Sequence, residues 1–301
     1  MNFGFVLPAF TKADEVLNFA ITAENNGVES IWMQDHIILP KTDTKQYPYT
    51  EDKSFPLNPR TPILDPLVTL GFIASKTSKI KLGTSIIVLP YRNPLILAKN
   101  FSTLDILSNG RTICGIGVGW LKKEFDLLGV DYSNRGNITN KYIENIQDLW
   151  DKDKSINLDY TFEPKPIQKP SIPIWIGGNS KLAIRRAAKY GQAWHPTRLK
   201  PKDIKNQLPY LKSLLLNFGK TKESFLISLK RNLNITDLEL PNINFRQSSS
   251  ALSGTSKEIK EDIEYCKKIG IDQLTFDLPT TNIKTATEII KYFMNIIIKI
   301  G

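Results

Sequence analysis

A chain of 301 residues, 41% of them apolar, has enough hydrophobic surface for one large core or two small ones. Its 40 basic and 30 acidic side chains give a net charge of +10, yet the lysines are scattered and no basic stripe interleaves with aromatics, which argues against nucleic acid as a partner. No apolar run is long enough to span a membrane, the N-terminus has no basic-then-apolar leader, and Cys114 and Cys266 have neither disulfide context nor metal-ligand spacing, so the expectation is a cytoplasmic protein without membrane contact.

In chain order, Asn2 to Leu7 reads as a strand, Thr11 to Asn26 as an amphipathic helix ended by Asn26-Gly27, and Glu29 to Met33 as a second strand. Residues 40 to 64 form a long loop rich in Pro, Lys, Tyr and Thr. Asp65-Pro66 opens a helix running to about Ser78. Ile80 to Leu89 is β-branched and nearly all apolar, as expected of a strand buried on both faces. Asn93 is its follower's N-cap, with Pro94 at the first helical position. Leu95, Leu97, Ala98, Phe101, Leu104 and Leu107 recur at helical spacing until Asn109-Gly110 stops the helix. Ile113 to Val118 is the next strand, and 120 to 136 a long connection.

The second half repeats the alternation. A helix runs from about Ile138 to Asp151, and Asp153 to Ser171 is a polar, Pro-rich excursion. Strands follow at Pro173 to Gly177, Gln192 to His195, Phe225 to Ile235 and Gln273 to Asp277. Helices follow at Ser180 to Tyr190, Lys202 to Phe218, Lys257 to Ile269 and Ile283 to Ile298, and 236 to 254 is a loop. Eight strands alternating with eight helices predict a single-domain (β/α)8 TIM barrel with loop insertions over 1 to 301. A doubly wound sheet is the alternative, but Gly115-Ile116-Gly117-Val118-Gly119 misses the dinucleotide fingerprint, so these glycines read as small residues in a crowded interior.

Several stretches also resemble a known family. LGTSIIVLPYRNPLILAKNFSTLDILSNGR, GIGVGW followed by EF, SIWMQDHIILP, PKPIQKPSIPIWIGGNS and GQAWHP together resemble the bacterial-luciferase-like oxidoreductases, closest to their deazaflavin (coenzyme F420) branch, over roughly the first two thirds of the chain. The resemblance implies a barrel that binds F420, or FMN in the monooxygenase alternative, acts on a small-molecule substrate and often forms homodimers.

In a barrel the active site lies at the carboxyl ends of the strands. Asp35 and His36 follow the second strand. They are either a loop-bracing pair or, as the resemblance implies, Asp35 beside the cofactor ring and His36 moving a proton. Thr84 and Ser85 interrupt an apolar strand. Their hydroxyls either bond neighbouring backbone or, by resemblance, flank a non-proline cis peptide between Ser85 and Ile86 that backs the ring. Trp120 is a pocket wall or ordinary packing. Part of the family holds a carboxylic acid at this place, and Glu124, just beyond, reads as a solvated helix residue. Gly177, Gly178, Asn179 and Ser180 open a helix, and bare backbone at a helix N-terminus suits a phosphate, the alternative being a simple turn. His195 either faces the site or is a satisfied structural histidine. No cluster has metal spacing and no GxSxG elbow occurs, which leaves hydrolase chemistry little support. Remaining alternatives are a non-catalytic flavin-binding paralogue and a phosphate-sugar barrel enzyme. The second would need a reactive lysine at a strand end, and Lys230 reads as lying inside its strand.

Overall fold

The computed structural model describes residues 1–301 apart from 43–44, 152–158, 241–249 and 299–301. Parts of the loops expected at 40–64, 153–171 and 236–254 therefore lie outside the described residues. Strands β1 (Asn2–Val6), β2 (Ser30–Met33), β3 (Lys81–Thr84), β5 (Thr112–Gly117), β6 (Ile174–Gly177), β7 (Ala193–His195), β8 (Leu226–Ile235) and β10 (Gln273–Asp277) pair in that order, all parallel, and β10 closes onto β1. The chain is a closed (β/α)8 barrel.

Nine α-helices are present among the described residues: α1 (Ala13–Asn25), α2 (Pro66–Ala74), α3 (Pro94–Leu107), α4 (Lys122–Leu128), α5 (Arg135–Trp150), α6 (Lys181–Tyr190), α7 (Pro201–Asn217), α8 (Ser256–Lys268) and α9 (Ile283–Tyr292). Their starts follow local chemistry. The Asp65 carboxylate accepts from the N–H groups of Leu67 and Val68, and the Asn93 side chain accepts from Leu95 N–H, each ahead of a proline at the first helical position. Thr255 and Glu258 form a reciprocal capping box on α8.

The structure redraws several elements. The strand expected over 80–89 breaks at a cis peptide between Ser85 and Ile86, and only Ile87–Val88 (β4) resumes pairing, now with β5. The connection at 120–136 contains α4, and the loop at 236–254 contains β9 (Leu252–Gly254), which pairs with the far end of β8. The last helix changes to π geometry over Phe293–Ile298. On α3, Leu97, Ala98, Phe101 and Leu104 face the core as expected, whereas Leu95 and Leu107 are exposed. Ile96 of α3 and Val68 and Phe72 of α2 are exposed as well.

Inside the barrel the principal filler is Trp32. Its ring stacks on His195 at 5.0 Å and lies 4.9 Å from Trp175. A ring this large fits because its neighbours on β1 and β3 are Gly4 and Gly83, where any Cβ would strike the indole. Gly115 is equally constrained, since a Cβ there would fall on the Thr84 carbonyl oxygen. The reading of GIGVG as packing glycines is the one the structure shows.

Two substitutions separate packing from propensity. Gly115→Ala sets a methyl against immobile backbone and is expected to destabilise by roughly 3 kcal/mol or more. Gly71→Ala, on α2 where nothing lies within 4 Å of the added methyl, is expected to stabilise by about 0.5–1 kcal/mol. Urea denaturation of both variants checks the contrast.

Candidate active site

The carboxyl ends of the strands carry three connected features. The first is built on the end of β2. Gln34, Asp35 and His36 leave the barrel there, and the two titratable side chains part company. The Asp35 carboxylate is buried and takes both Arg92 nitrogens, at 2.6 and 2.9 Å, together with the Val88 N–H at 2.9 Å. It ties the end of β2 to β4 and to the segment after it as a brace, with its acceptor sites held by protein partners.

His36 turns the other way. Its Nδ1 lies 3.2 Å from Glu124 Oε2. Glu124 is not the solvated helix residue expected from the sequence: it is 1% exposed. Its carboxylate also accepts from the N–H groups of Ile37 and Ile38, at 2.6 and 3.2 Å, and from the Tyr91 hydroxyl at 2.8 Å. Burial pushes this carboxyl up, but the hydrogen bond and charge of His36 and the bonds from Tyr91 and Ile37 outweigh it and hold it below its ordinary value. Burial and the adjacent carboxylate push the Tyr91 phenol far up, so it stays a donor. Glu124 was missed because it is 88 residues from His36 in the chain and sits in the first turn of a short helix, where acidic residues are commonly surface groups.

The aromatics of the loop at 40–64 complete this corner. Tyr47, Phe55 and Trp120 lie with ring centroids 5.0–5.1 Å apart, and Phe55 meets the His36 ring at 5.2 Å. Trp120 is thus part of a wall over His36, and Tyr47 and Phe55 face a cavity on the other side.

The second feature is the Ser85–Ile86 ridge. Thr84 does not contribute a free hydroxyl: it donates to Gly115 O at 2.8 Å and accepts from Gly115 N–H at 3.0 Å, which is the backbone-bonding alternative. The Ser85 hydroxyl pairs with His195 Nε2 at 2.9 Å, and His195 Nδ1 pairs with the Ser228 hydroxyl at 2.9 Å. His195 is therefore the satisfied interior histidine. Burial, reinforced by the Lys230 charge, pushes it down to about 3, against a smaller opposing bond from Ser228. The Ile86 side chain lies over the ends of β5 and β6, where Gly117 and Gly177 make room for it.

The third is the turn into α6. Gly178 has φ of 110°, and a Cβ there would meet the Ala183 Cβ at 3.0 Å, so the turn admits bare backbone only. The Asn179 side chain donates to Thr197 O and accepts from Thr197 N–H, at 2.8 and 3.1 Å. Ser180 caps α6 by accepting from Ala183 N–H at 3.2 Å. The turn is pinned by its side chains, which leaves the first N–H groups of α6 as its donors. Ile86 touches Gly177, so ridge and turn are one surface.

A cavity of about 580 Å³ opens beside these features, between β1, β8, β10 and the loop at 40–64. Arg198, Lys230, Asn232 and Asp277 line it, and none of the sequence-predicted site residues does. Lys230 indeed lies within β8, as read, yet its side chain reaches this cavity from inside the barrel.

A parallel barrel whose mouth joins an oriented histidine, a backbone ridge and a bare-backbone helix start belongs to the class that holds a ligand over the carboxyl ends of its strands. The comparisons place the chain within that class. Residues 1–239 match the model of the luciferase-like monooxygenases, and the chain belongs to that family. An uncharacterised protein of Mycobacterium tuberculosis (strain ATCC 25618 / H37Rv) is 30% identical over 213 residues, 68% of this chain and 74% of that one. Among solved structures, an F420-dependent secondary alcohol dehydrogenase is similar with a TM-score of 0.75 at 18% identity, covering 98% of this chain and 97% of that one. The FMN-bound oxygenating constituent of 3,6-diketocamphane monooxygenase from Pseudomonas putida is similar with a TM-score of 0.72 at 13% identity, covering 98% and 97%.

A folded His195 that stays neutral sets a pH dependence. The unfolded ring takes a proton near its ordinary value of 6.5, so between 6.5 and about 3 the unfolded state binds more protons. Stability is full above that window and falls as pH drops through it, by up to about 1.4 kcal/mol per pH unit from this group. Denaturation series at pH 7, 6, 5 and 4 should show a shallower loss in His195→Gln than in the parent.

Proposed function

We propose that the protein is a cytoplasmic, deazaflavin (F420)-dependent oxidoreductase that moves a hydride between its cofactor and a small organic substrate. The observation that carries the reading is the His36–Glu124 pair beside the Ser85–Ile86 ridge. Hydride transfer to a carbonyl carbon, or from a carbinol carbon, must be accompanied by a proton arriving at or leaving the oxygen. Glu124 fixes the His36 ring through Nδ1, which leaves Nε2 to exchange a proton with that oxygen.

The residues present fit the cofactor. The turn at Gly177–Ser180 offers bare backbone and a helix start to a phosphate, and the Ser85–Ile86 ridge offers a flat apolar backing to a ring system. When bound, the deazaflavin supplies the hydride chemistry, and the protein supplies orientation and electrostatics. Trp120, Tyr47 and Phe55 exclude water above His36, so the proton goes to substrate rather than to solvent. Two buried free thiols accord with a reducing compartment.

Fluorescence titration of the purified protein with F420 and, separately, with FMN tests the cofactor. Tight F420 with weak FMN is the expected result; tight FMN alone would replace the reading with an oxygen-using monooxygenase. His36→Ala should then lower turnover by about 10²–10⁴-fold and leave cofactor affinity intact, with a smaller loss, roughly tenfold, for Glu124→Gln. An unchanged rate in His36→Ala would point to a paralogue in which that histidine does no chemistry.

The proposal includes a homodimer through α2 and α3. Val68 is 75% exposed, Ile96 61% and Leu107 67%, an apolar face unusual for free solvent. Light scattering is expected to give twice the monomer mass for the parent and the monomer mass for Val68→Glu; a monomeric parent removes this part of the proposal.

A further inference from the structure

The cavity beside the His36 corner carries a charge arrangement that the mechanism above does not use. Strand β8 sends Ser228, Lys230 and Asn232 to the interior at two-residue spacing, and Asp277 of β10 is the register partner of Asn232. Lys230 Nζ lies 3.2 Å from Asp277 Oδ1, and Arg198 Nη2 lies 3.9 Å from Asp277 Oδ2. The three side chains are only 9%, 10% and 17% exposed. Among the described residues Asp277 is the one carboxylate in ion-pair contact with either cation, so two positive charges share one negative.

An unmatched cation with little water around it is costly, and proteins keep such a surplus where an anion arrives to complete it. Other groups facing the cluster do not supply that anion. His195 is uncharged, and the Tyr47 phenol, which Arg198 faces at 6.0 Å from the ring centroid, is pushed up by burial. Burial pushes Lys230 itself down; the Asp277 charge opposes this, and the Arg198 charge adds to it.

A second orphan lies alongside. The Oδ1 of Asn232 is buried and has no hydrogen-bond partner, although the residue lines the cavity. A buried carbonyl oxygen without a donor is uncommon in a native fold and asks for an O–H or N–H. The walls opposite, including Leu7, Phe10, Ile63 and Leu278, are apolar.

We propose that this cavity binds a substrate bearing an oxyanion group (carboxylate, phosphate or sulfonate) that sits against Lys230 and Arg198, with an adjacent hydroxyl or N–H donating to Asn232 Oδ1. The substrate class is then a small polar organic anion rather than a neutral hydrocarbon. The word substrate rests on the oxidoreductase reading; the anion site does not. It is distinct from the phosphate turn, since none of Gly177–Ser180 lines the cavity.

Inorganic phosphate is the probe, titrated into the full chain by calorimetry with and without saturating cofactor. The parent should bind phosphate, and Lys230→Met should weaken it at least about tenfold. Arg198→Gln should weaken it similarly while keeping the Lys230–Asp277 pair, which covers the case of a Lys230 variant that does not fold. Asp277→Asn, which enlarges the surplus, should tighten it, a direction that loss of structure would not produce. Absence of phosphate binding in the parent, or binding that both cation variants leave unchanged and saturating cofactor displaces, overturns the proposal. Cofactor binding is read separately by its own fluorescence. Phosphate bound at Lys230 in a protein that takes neither F420 nor FMN would uphold the anion site and remove the oxidoreductase reading.

Discussion

The interior of the barrel depends on fitting one indole. Trp32 occupies the space that a strand interior normally divides among several aliphatic side chains, and its presence forces glycine at 4 and 83. The same ring presents a face to His195, which stacks on it, and an edge N–H that bonds to Ser30 Oγ at 2.8 Å. From Ser30 a file of polar groups continues through Gln273, Thr275 and Ser228 to His195 and ends at Ser85. Each member of the file has its partner inside the barrel, which is what allows so many polar groups to be buried. The ridge at Ser85–Ile86 is thus the top of a column that begins near the bottom of the barrel.

That column explains why the two histidines sit in different environments. Both were open to a structural or a chemical reading from sequence. His195 lies below the ridge, is bonded at both nitrogens and is kept neutral by burial and by Lys230 above it. His36 lies beyond the end of β2 and is bonded at Nδ1 to a carboxylate. Environment, not residue type, separates a histidine satisfied inside the barrel from one held by a carboxylate at its mouth.

What sequence made legible was what local patterns encode. Apolar runs placed every barrel strand, and Asp65-Pro66, Asn93-Pro94 and Ser180 marked helix starts that the structure confirms in their side-chain bonds. The break at Ser85–Ile86 came only through family resemblance, because an apolar run looks the same whether straight or folded at a peptide bond. Glu124, Arg198 and Asp277 stayed hidden for a different reason, and Lys230 was read inside its strand but without its partners. Their meaning lies in contacts between segments far apart in the chain: Glu124 meets His36 across 88 residues, and Arg198, Lys230 and Asp277 come from three separate elements. Taken singly, Glu124, Arg198 and Asp277 look like ordinary surface charges. Asp35 was read in the right place, but the direction of its carboxylate is set by Arg92, again a tertiary partner.

The overall charge of +10 gains a sharper meaning at the mouth of the barrel. Surface lysines are screened within about 10 Å at ordinary salt, so their scatter neither selects a ligand nor steers one strongly. Arg198 and Lys230 act at short range, behind walls that admit little water, where a single unmatched charge counts for far more than ten solvated ones. Asp277 keeps that surplus to one rather than two, enough to attract an anion at a smaller cost to the fold. The aromatic wall of Tyr47 and Phe55 lies between this charge and His36, touching both. A ligand anchored by its anionic end at Lys230 is therefore bounded on one side by the same rings that cover His36. The loop at 40–64 borders both the proposed anion site and His36, and changes in that loop would alter which anion is accepted without disturbing the barrel.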